Sequence, residues 1–160
     1  MMQLEASLTT AASVGEVLAH VDDLGVYPAW MPLVHTAVRV DDASEPTWDV
    51  ELRARVGPFA RSKRLRMVRA VYERADLSRI VFERREIDER QHAMWRLTVA
   101  VAAAALKGDM AARGDPGGGA ELVMRLYYDG RLFVSVVEAI LRKNIDAGRD
   151  RLAELLRGGT

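Results

Sequence analysis

The feature that most constrains this chain is a long amphipathic segment near its C-terminal end, from about Leu132 to Leu156. Its apolar residues share one broad face of a helical wheel: Phe133, Val137, Ile140, Leu141, Ile145, Leu152 and Leu155. The charged residues Arg142, Asp146, Arg149 and Arg157 lie away from the centre of that face. A helix of this kind needs a large apolar surface to cover it, and strand-like runs precede it. We therefore expect a curved sheet that closes on the helix and can enclose a cavity.

Composition limits the class of protein. The chain has 160 residues, 49% of them hydrophobic, which suits a single domain over residues 1–160. Lys+Arg and Asp+Glu number 23 each, so no overall charge favours nucleic acid as a partner. Cysteine is absent, which excludes disulfides and thiolate metal sites. The longest apolar run, Val99–Leu106, is too short for a membrane span, and Met1–Thr10 lacks a signal-peptide pattern, so we expect a cytoplasmic location.

The N-terminal part of the chain combines a strand with two short helical segments. Residues 3–9 alternate between polar and apolar side chains, as a half-buried strand does, and Ser13 with Glu16 forms the capping box of a helix. The segment Leu24–Leu33, LGVYPAWMPL, is limited by its prolines to a short helical turn. Its large apolar side chains are those of Tyr27, Trp30 and Met31. We predict that they close one mouth of the cavity against the terminal helix and move when ligand binds; the alternative is that they form a static part of the core.

Further strands are predicted at Val34–Val40, Trp48–Val56, Lys63–Tyr72, Arg79–Ile87, His92–Val101 and Ala120–Tyr128. The short separators between them, such as Gly57-Pro58, indicate an antiparallel meander. The region Ala100–Ala112 mixes strand-like alternation with alanine, so we expect strand to about Val101 and then a loop or a short helical excursion. The glycine-rich run Gly114–Gly119 is typical of a hairpin connection.

The Tyr27-Pro28-Ala29-Trp30-Met31-Pro32 segment, Trp95 in a late strand and the terminal helix carry a family resemblance. With them the chain resembles the START-like (SRPBCC) superfamily, and within it the bacterial polyketide cyclase/dehydrase and coenzyme Q-binding branch. The resemblance implies an α+β helix-grip fold: a curved seven-stranded antiparallel sheet wraps around a long C-terminal helix, with two short helices after the first strand. It also implies an apolar tunnel. Members bind lipids, quinones or polyketides, and some catalyse cyclisation or aromatisation, but they share no invariant catalytic motif.

Candidate polar groups lie on two of the predicted strands. Period-two geometry puts Arg84 and Glu86 on the same face as Phe82. On a concave face this pair would neutralise itself as a structural ion pair, orient a polar ligand head, or support acid/base chemistry. Tyr128 is in phase with Met124 and is expected to face the pocket, where its hydroxyl can meet a ligand oxygen. If the chain is an enzyme, Arg84, Glu86 and Tyr128 are its candidate catalytic residues.

The expected ligand-binding residues come from the lid segment, the sheet and the helix: Tyr27, Trp30, Met31, Phe82, Trp95, Leu97, Met124, Tyr128, Val137, Leu141 and Asn144. Asn144 lies on the apolar stripe and needs either a backbone partner or a ligand. Gly148 on the same stripe is expected to permit a close approach.

Metal and nucleotide chemistry find no support in the sequence. His20, His35 and His92 lack metal-ligand spacing, and neither a nucleotide-binding loop nor a serine-hydrolase motif is present, so no metal and no cofactor is predicted.

Three functions stay open. The first is binding or carriage of a hydrophobic small molecule, lipid, quinone or polyketide-like, in an apolar tunnel between sheet and helix; a cavity above roughly 300 Å³ would favour it. The second is a polyketide aromatase/cyclase. The third is a protein-interaction or toxin–antitoxin type regulatory module. An interior without a cavity would favour it. The arginine-rich region Arg53–Arg74 indicates a solvated sheet face or a basic surface for peripheral contact with anionic headgroups or a protein. The protein is expected to be a monomer or homodimer.

Overall fold

A computed structural model describes residues 2–41, 43–104, 119–130 and 134–158. Within them lie seven strands: β1 Met2–Thr10, β2 Val34–Val40, β3 Thr47–Val56, β4 Phe59–Glu73, β5 Leu77–Arg84, β6 Met94–Ala103 and β7 Ala120–Asp129. Helix α1 spans Val14–Val21, a 3₁₀ helix spans Leu24–Ala29, and helix α2 spans Val134–Gly158. None of the helices described is long and apolar enough to cross a membrane.

The strands form one antiparallel sheet in the order β1-β7-β6-β5-β4-β3-β2. Neighbours in sequence are neighbours in the sheet, except that β1 pairs with β7 at one edge. Register shifts after Val34 and after Arg69 introduce irregularities that increase strand bending and twist. The curved sheet packs around α2, which is the predicted helix-grip arrangement.

The short elements after β1 form as the sequence predicts. Ser13 caps α1, where its Oγ accepts from the Glu16 N–H and the Glu16 carboxylate accepts from the Ser13 N–H, both at 3.2 Å. The Asp23 carboxylate then accepts from the Gly25 N–H at 2.8 Å and starts the 3₁₀ helix. These contacts place the aromatic side chains of the 3₁₀ segment beside the core.

The core lies between the concave face of the sheet and α2. From α2 it receives Leu141, Leu152 and Leu156, all buried, and the helix contacts β1 and β3. Leu155, expected on the apolar face, is instead 40% exposed, while its neighbour Leu156 is buried. The buried stripe of the helix is therefore rotated at its end from the predicted one.

Several predicted boundaries change. β4 begins at Phe59 because it pairs with β3 as far as Val56↔Phe59, around a turn in which Gly57 has a φ of 61°. β5 ends at Arg84 rather than Ile87, so Glu86 lies beyond the strand. The physical reason is that the Glu86 carboxylate, and not a strand carbonyl, accepts from the Arg66 N–H at 3.1 Å.

Other predictions fall at the edges of the described residues. β6 continues to Ala103, two residues past the predicted end at Val101. The rest of Ala100–Ala112 beyond Ala104, and Gly114–Gly118 of the predicted hairpin connection, lie outside the described residues, as do Leu132 and Phe133 at the predicted helix start.

Candidate functional site

A cavity lies between the concave face of the sheet and α2, with a volume of about 90 Å³. Its described walls come from β1, the 3₁₀ segment, β2, β3, β4, β6, β7 and α2. Aliphatic, aromatic and methionine side chains dominate the lining. The polar side chains of the lining are those of Ser7, which has a hydroxyl group, and Arg149, which is charged. Tyr27 also has a hydroxyl group, but it donates to a main-chain carbonyl.

The cavity is smaller than the roughly 300 Å³ expected of a small-molecule site. Pockets for ligands of drug size usually measure about 300–1,000 Å³, and this one measures about 90 Å³. The interior therefore contains a cavity, but one too small for a ligand of drug size. Any ligand with several rings or a long chain needs the walls to separate before it fits.

The structure divides the predicted ligand-binding residues into two groups. Those that line the cavity are Tyr27, Met31, Trp95, Leu97 and Met124. Those that do not line it are Trp30, Phe82, Tyr128, Val137, Leu141 and Asn144. Trp30 and Phe82 are buried against other aromatic rings: Trp30 packs against Tyr27, and Phe82 packs against Tyr27 and Trp48.

None of the other lining residues was among the predicted ligand-binding residues. The main ones are Leu4, Leu8, Leu24, Leu52, Leu65, Met67, Leu122, Leu126, Ile145, Arg149 and Leu152. The period-two phase of β1, β3 and β4 carries the signal for several of these residues, because it marks the buried face of each strand. That phase does not reveal how far along a strand the cavity extends.

The aromatic residues of the 3₁₀ segment are tied to α1. The Tyr27 hydroxyl donates to the Val21 carbonyl at 2.8 Å, the Trp30 indole N–H donates to the His20 carbonyl at 3.0 Å, and the two rings lie 4.7 Å apart. Burial, with smaller contributions from Asp22 and Asp23, raises the pKa of Tyr27 well above its ordinary value. The phenol therefore stays protonated and keeps its role as a donor.

Met31 makes the contact between this segment and α2. A Cβ atom on Gly148 would lie 2.7 Å from Cε and 2.8 Å from Sδ of Met31. A side chain at position 148 would displace the end of the Met31 side chain, so Gly148 has a packing role, with Met31 as its neighbour. Met31 also lines the cavity, which places this contact at the cavity wall.

Arg84 and Glu86 form an ion pair at the end of β5. Arg84 Nε donates to Glu86 Oε1 at 2.8 Å, and the Arg84 side chain is only 7% exposed. The Arg84 guanidinium also donates to the Ala93 carbonyl and to His92 Nδ1, both at 3.3 Å, and His92 Nε2 lies 2.6 Å from Asp88. The guanidinium is thus engaged by partners within the chain.

The charges around this pair favour its ionised form. Partial burial raises the pKa of Glu86, but hydrogen bonds from Arg84 and the Arg66 N–H, with the positive charge of Arg84, lower it more, and the net pKa lies below its ordinary value. Burial first, and then Arg84, lower the pKa of Lys63, against an opposing effect of Glu86. Arg84 pairs across the sheet with the cavity-lining Met67, so the ion pair borders the cavity wall.

The other predicted polar residues have clear surroundings. Asn144 Nδ2 donates to the Ile140 carbonyl of its own helix at 2.8 Å, which matches the backbone-partner interpretation. Tyr128 is buried, with its ring 4.7 Å from that of Trp95. In the part of the chain described, no cluster of three or more His, Cys, Asp or Glu residues could hold a metal ion.

The arginine-rich region divides by position. Arg53, Arg55, Arg61 and Arg64 are exposed, as a solvated sheet face requires. Arg69 instead donates to the Asp22 carbonyl at 2.8 Å and stacks 4.6 Å from the Tyr72 ring centroid. Part of the region is therefore structural. Contact of its exposed part with anionic headgroups or a protein stays a prediction.

The sequence from residue 1 to 157 matches the family model described as polyketide cyclase/dehydrase and lipid transport. No curated protein matches the sequence. Among solved structures, a START superfamily protein from Mycobacterium smegmatis has a TM-score of 0.66 at 13% identity, covering 99% of both chains. The Zhui aromatase/cyclase from Streptomyces sp. R1128 has a TM-score of 0.64 at 14% identity, covering 98% of this chain and 93% of its own. Human StAR-related lipid transfer protein 5 has a TM-score of 0.70 at 12% identity, covering 98% and 76%. At these identities the likeness shows the fold alone.

Proposed function

Because the chain belongs to the polyketide cyclase/dehydrase and lipid transport family, we propose that it binds and carries a hydrophobic small molecule between its sheet and α2. The molecule is of lipid, quinone or polyketide type. The observation that carries the proposal is the cavity wall, whose described residues are apolar apart from Ser7, Arg149 and the internally bonded Tyr27 hydroxyl. Transfer of apolar surface from water into such a site is favourable by about 25 cal/mol per Å².

The small cavity volume sets a condition on this function. At about 90 Å³ the present cavity holds only a fragment of a lipid or polyketide, so the bound form requires outward movement of a wall. The Met31–Gly148 contact is a place where such movement is easy, because a methionine side chain is flexible and finds alternative rotamers. A cavity that widens on binding is compatible with many apolar ligands.

The proposal is tested by ligand recovery and by direct binding. Native mass spectrometry of the purified protein should show a bound small molecule, or titration with a long-chain fatty acid, a short-chain ubiquinone and a polycyclic ketone should give saturable binding. Ala6→Leu adds bulk at a cavity-lining position and should weaken binding several-fold. The matched control is Glu5→Leu, at the exposed neighbouring position on β1. Recovery of no ligand together with no binding across the panel contradicts the proposal.

A polyketide aromatase/cyclase is the second candidate. The family description and the position of Arg84 next to a cavity-lining residue favour it. None of Arg84, Glu86 and Tyr128 lines the cavity as it stands, so this mechanism requires the walls to separate first. Arg84 and Tyr128 would then donate hydrogen bonds to substrate carbonyl oxygens, and the Glu86 carboxylate would accept a proton from a carbon that becomes nucleophilic. Cyclisation of a poly-β-ketone that persists unchanged in Arg84→Met, Glu86→Gln and Tyr128→Phe would show this assignment to be wrong.

A further inference from the structure

The three tryptophans of the chain differ in what their indole N–H groups contact. Trp30 donates to the His20 carbonyl at 3.0 Å, and Trp48 donates to the Asp23 carboxylate at 3.0 Å. The indole nitrogen of Trp95 is buried and has no partner among the described residues. The side chain of Trp95 as a whole is 6% exposed.

The unpaired indole is also the one at the cavity. Trp95 lines the cavity, whereas Trp30 and Trp48 do not. Buried donors are nearly always paired in folded proteins, and an indole N–H can act only as a donor. Arg96 Nε is the other unpaired buried nitrogen of the described side chains, but it lies 3.4 Å from a carboxylate oxygen of Glu83 and so has an acceptor within reach after a small shift.

None of the described residues forms a hydrogen bond with the Trp95 indole nitrogen. The Trp95 ring packs against that of Tyr128 at a centroid distance of 4.7 Å. Its neighbours on the cavity wall include Leu97 and Met124, whose side chains carry no strong acceptor. Among the described residues no acceptor is in place for this donor, and a molecule that enters the cavity can supply one.

We propose that the Trp95 indole N–H donates a hydrogen bond to a neutral carbonyl oxygen of the ligand, so that this site selects hydrophobic ketones or quinones over plain hydrocarbons. The inference rests on the proposed function, since it concerns the same cavity. A neutral oxygen suits the apolar lining that Trp95 shares with Leu97 and Met124, where a carboxylate without a cationic partner would be strongly disfavoured. Arg149, the charged lining residue, is already paired with Asp146 and Asp150 on its own helix. The bond forms as the walls separate, because the nitrogen is covered while the cavity measures about 90 Å³.

The proposal is tested with 1-tetralone and tetralin, which share one bicyclic skeleton and differ by a carbonyl in place of a methylene group. The dissociation constants of both compounds are measured for the wild type and for Trp95→Phe, which keeps an aromatic wall but lacks the donor. In Trp95→Phe the dissociation constant of 1-tetralone, divided by that of tetralin, should rise about threefold to tenfold. This is the effect expected from the loss of one neutral hydrogen bond. Trp48→Phe, away from the cavity, should leave the ratio unchanged.

Trp95→Phe changes the size of the ring as well as removing the donor. Incorporation of benzothienylalanine at position 95 separates these effects, because sulfur replaces the N–H in a ring of nearly the same shape. This analogue should change the ratio as the phenylalanine variant does. An unchanged ratio in both variants overturns the proposal.

Nitrogen–proton correlation spectra give a second readout, with one indole signal for each tryptophan. The Trp95 signal should move downfield with 1-tetralone and clearly less with tetralin, whose aromatic ring controls for ring-current effects. The signals of Trp30 and Trp48, already paired, should hold their positions. Binding of both compounds without a selective shift of Trp95 overturns this inference and leaves the proposed function supported. Binding of neither compound overturns the ketone assignment, and a negative panel of fatty acid and ubiquinone in addition contradicts the proposed function itself.

Discussion

The two walls of the cavity are built by different forces. The sheet wall is a continuous antiparallel ladder from β1 to β2, in which main-chain hydrogen bonds set the register of each strand. The helix wall is not bonded in this way: among the described residues, the side-chain hydrogen bonds of α2 stay within α2, from Asn144 to Ile140 and from Arg149 to Asp150. Apolar packing joins this helix to the rest of the molecule.

This difference indicates which wall moves. Hydrogen bonds are directional and resist sliding, whereas apolar burial is non-directional and tolerates small displacements. A cavity that must widen from about 90 Å³ is therefore expected to widen by displacement of α2 and Met31, with the sheet unchanged. Substitutions in and around the two walls test this division between a fixed sheet and a movable helix.

The largest effect is expected outside the movable wall, from Trp30→Ala. Trp30 is fully buried, is bonded to α1 through His20, and does not line the cavity. Truncation of a buried tryptophan lowers the free energy of unfolding by about 3–5 kcal/mol, measurable by urea denaturation followed by circular dichroism. Ligand affinity per folded molecule should stay unchanged. A weaker affinity with an intact fold would instead identify Trp30 as part of a moving gate.

The next effect concerns the ion pair at the rim of the sheet. Arg84→Met removes the main partner of Glu86, which keeps the Arg66 N–H, and should lower the free energy of unfolding at neutral pH by about 1–2 kcal/mol. The pKa of Glu86 is lowered in the folded protein. Its stabilisation is therefore present above the ordinary glutamate pKa of about 4.3 and is lost as the pH falls through the lowered value.

The acid limb of the stability profile should consequently be flatter in Arg84→Met than in the wild type. Glu86→Gln, which removes the titrating group and keeps the side-chain shape, serves as the control and should be flattened in the same way. Parallel profiles for all three proteins would mean that the pair does not contribute to the pH dependence.

The fold is more predictable from the sequence than the site is. The strands follow from alternation that spans many residues, and β2 was predicted with both ends correct at Val34 and Val40. The capping box at Ser13 is a purely local pattern, and it also forms as predicted. Errors arose where a tertiary contact decides the boundary, as at β5, where the Glu86 side chain replaces a strand partner.

The cavity depends on which side chains leave space between elements distant in sequence. Phe82 and Trp95 both belong to the inward phase of their strands, yet Phe82 is enclosed by Tyr27 and Trp48 while Trp95 reaches the cavity. Periodicity does not separate these two outcomes, because it reports a face and not a depth. Arg149 was missed for a related reason: its place on the helical wheel lies off the apolar centre, where no sequence signal points to a cavity.

Gly148→Ala tests the movable wall directly. The added Cβ would meet the flexible end of Met31 at 2.7 Å, so Met31 must shift, while alanine in place of glycine favours the helix by up to about 1 kcal/mol. We expect the free energy of unfolding to change by less than about 1 kcal/mol and ligand association, followed by stopped-flow fluorescence, to become faster. Gly158→Ala is the control, because no atom lies within 4 Å of its added Cβ. A large loss of stability without faster association would show that Met31 is as fixed as the sheet.

The smallest effect is expected from Asn144→Ala, which separates translation of the helix wall from rotation. The Asn144 amide is bonded to Ile140 within α2, and Asn144 does not line the cavity, whereas the adjacent Ile145 does. Loss of this bond and the better helix propensity of alanine oppose each other, so the free energy of unfolding should change by less than about 0.5 kcal/mol. If α2 moves outward without turning, ligand affinity in Asn144→Ala should equal that of the wild type and of the exposed control Lys143→Ala. A several-fold loss of affinity confined to Asn144→Ala would mean that α2 rotates on binding and brings this amide to the ligand, a motion that apolar packing permits and that hydrogen bonds across the interface would have prevented.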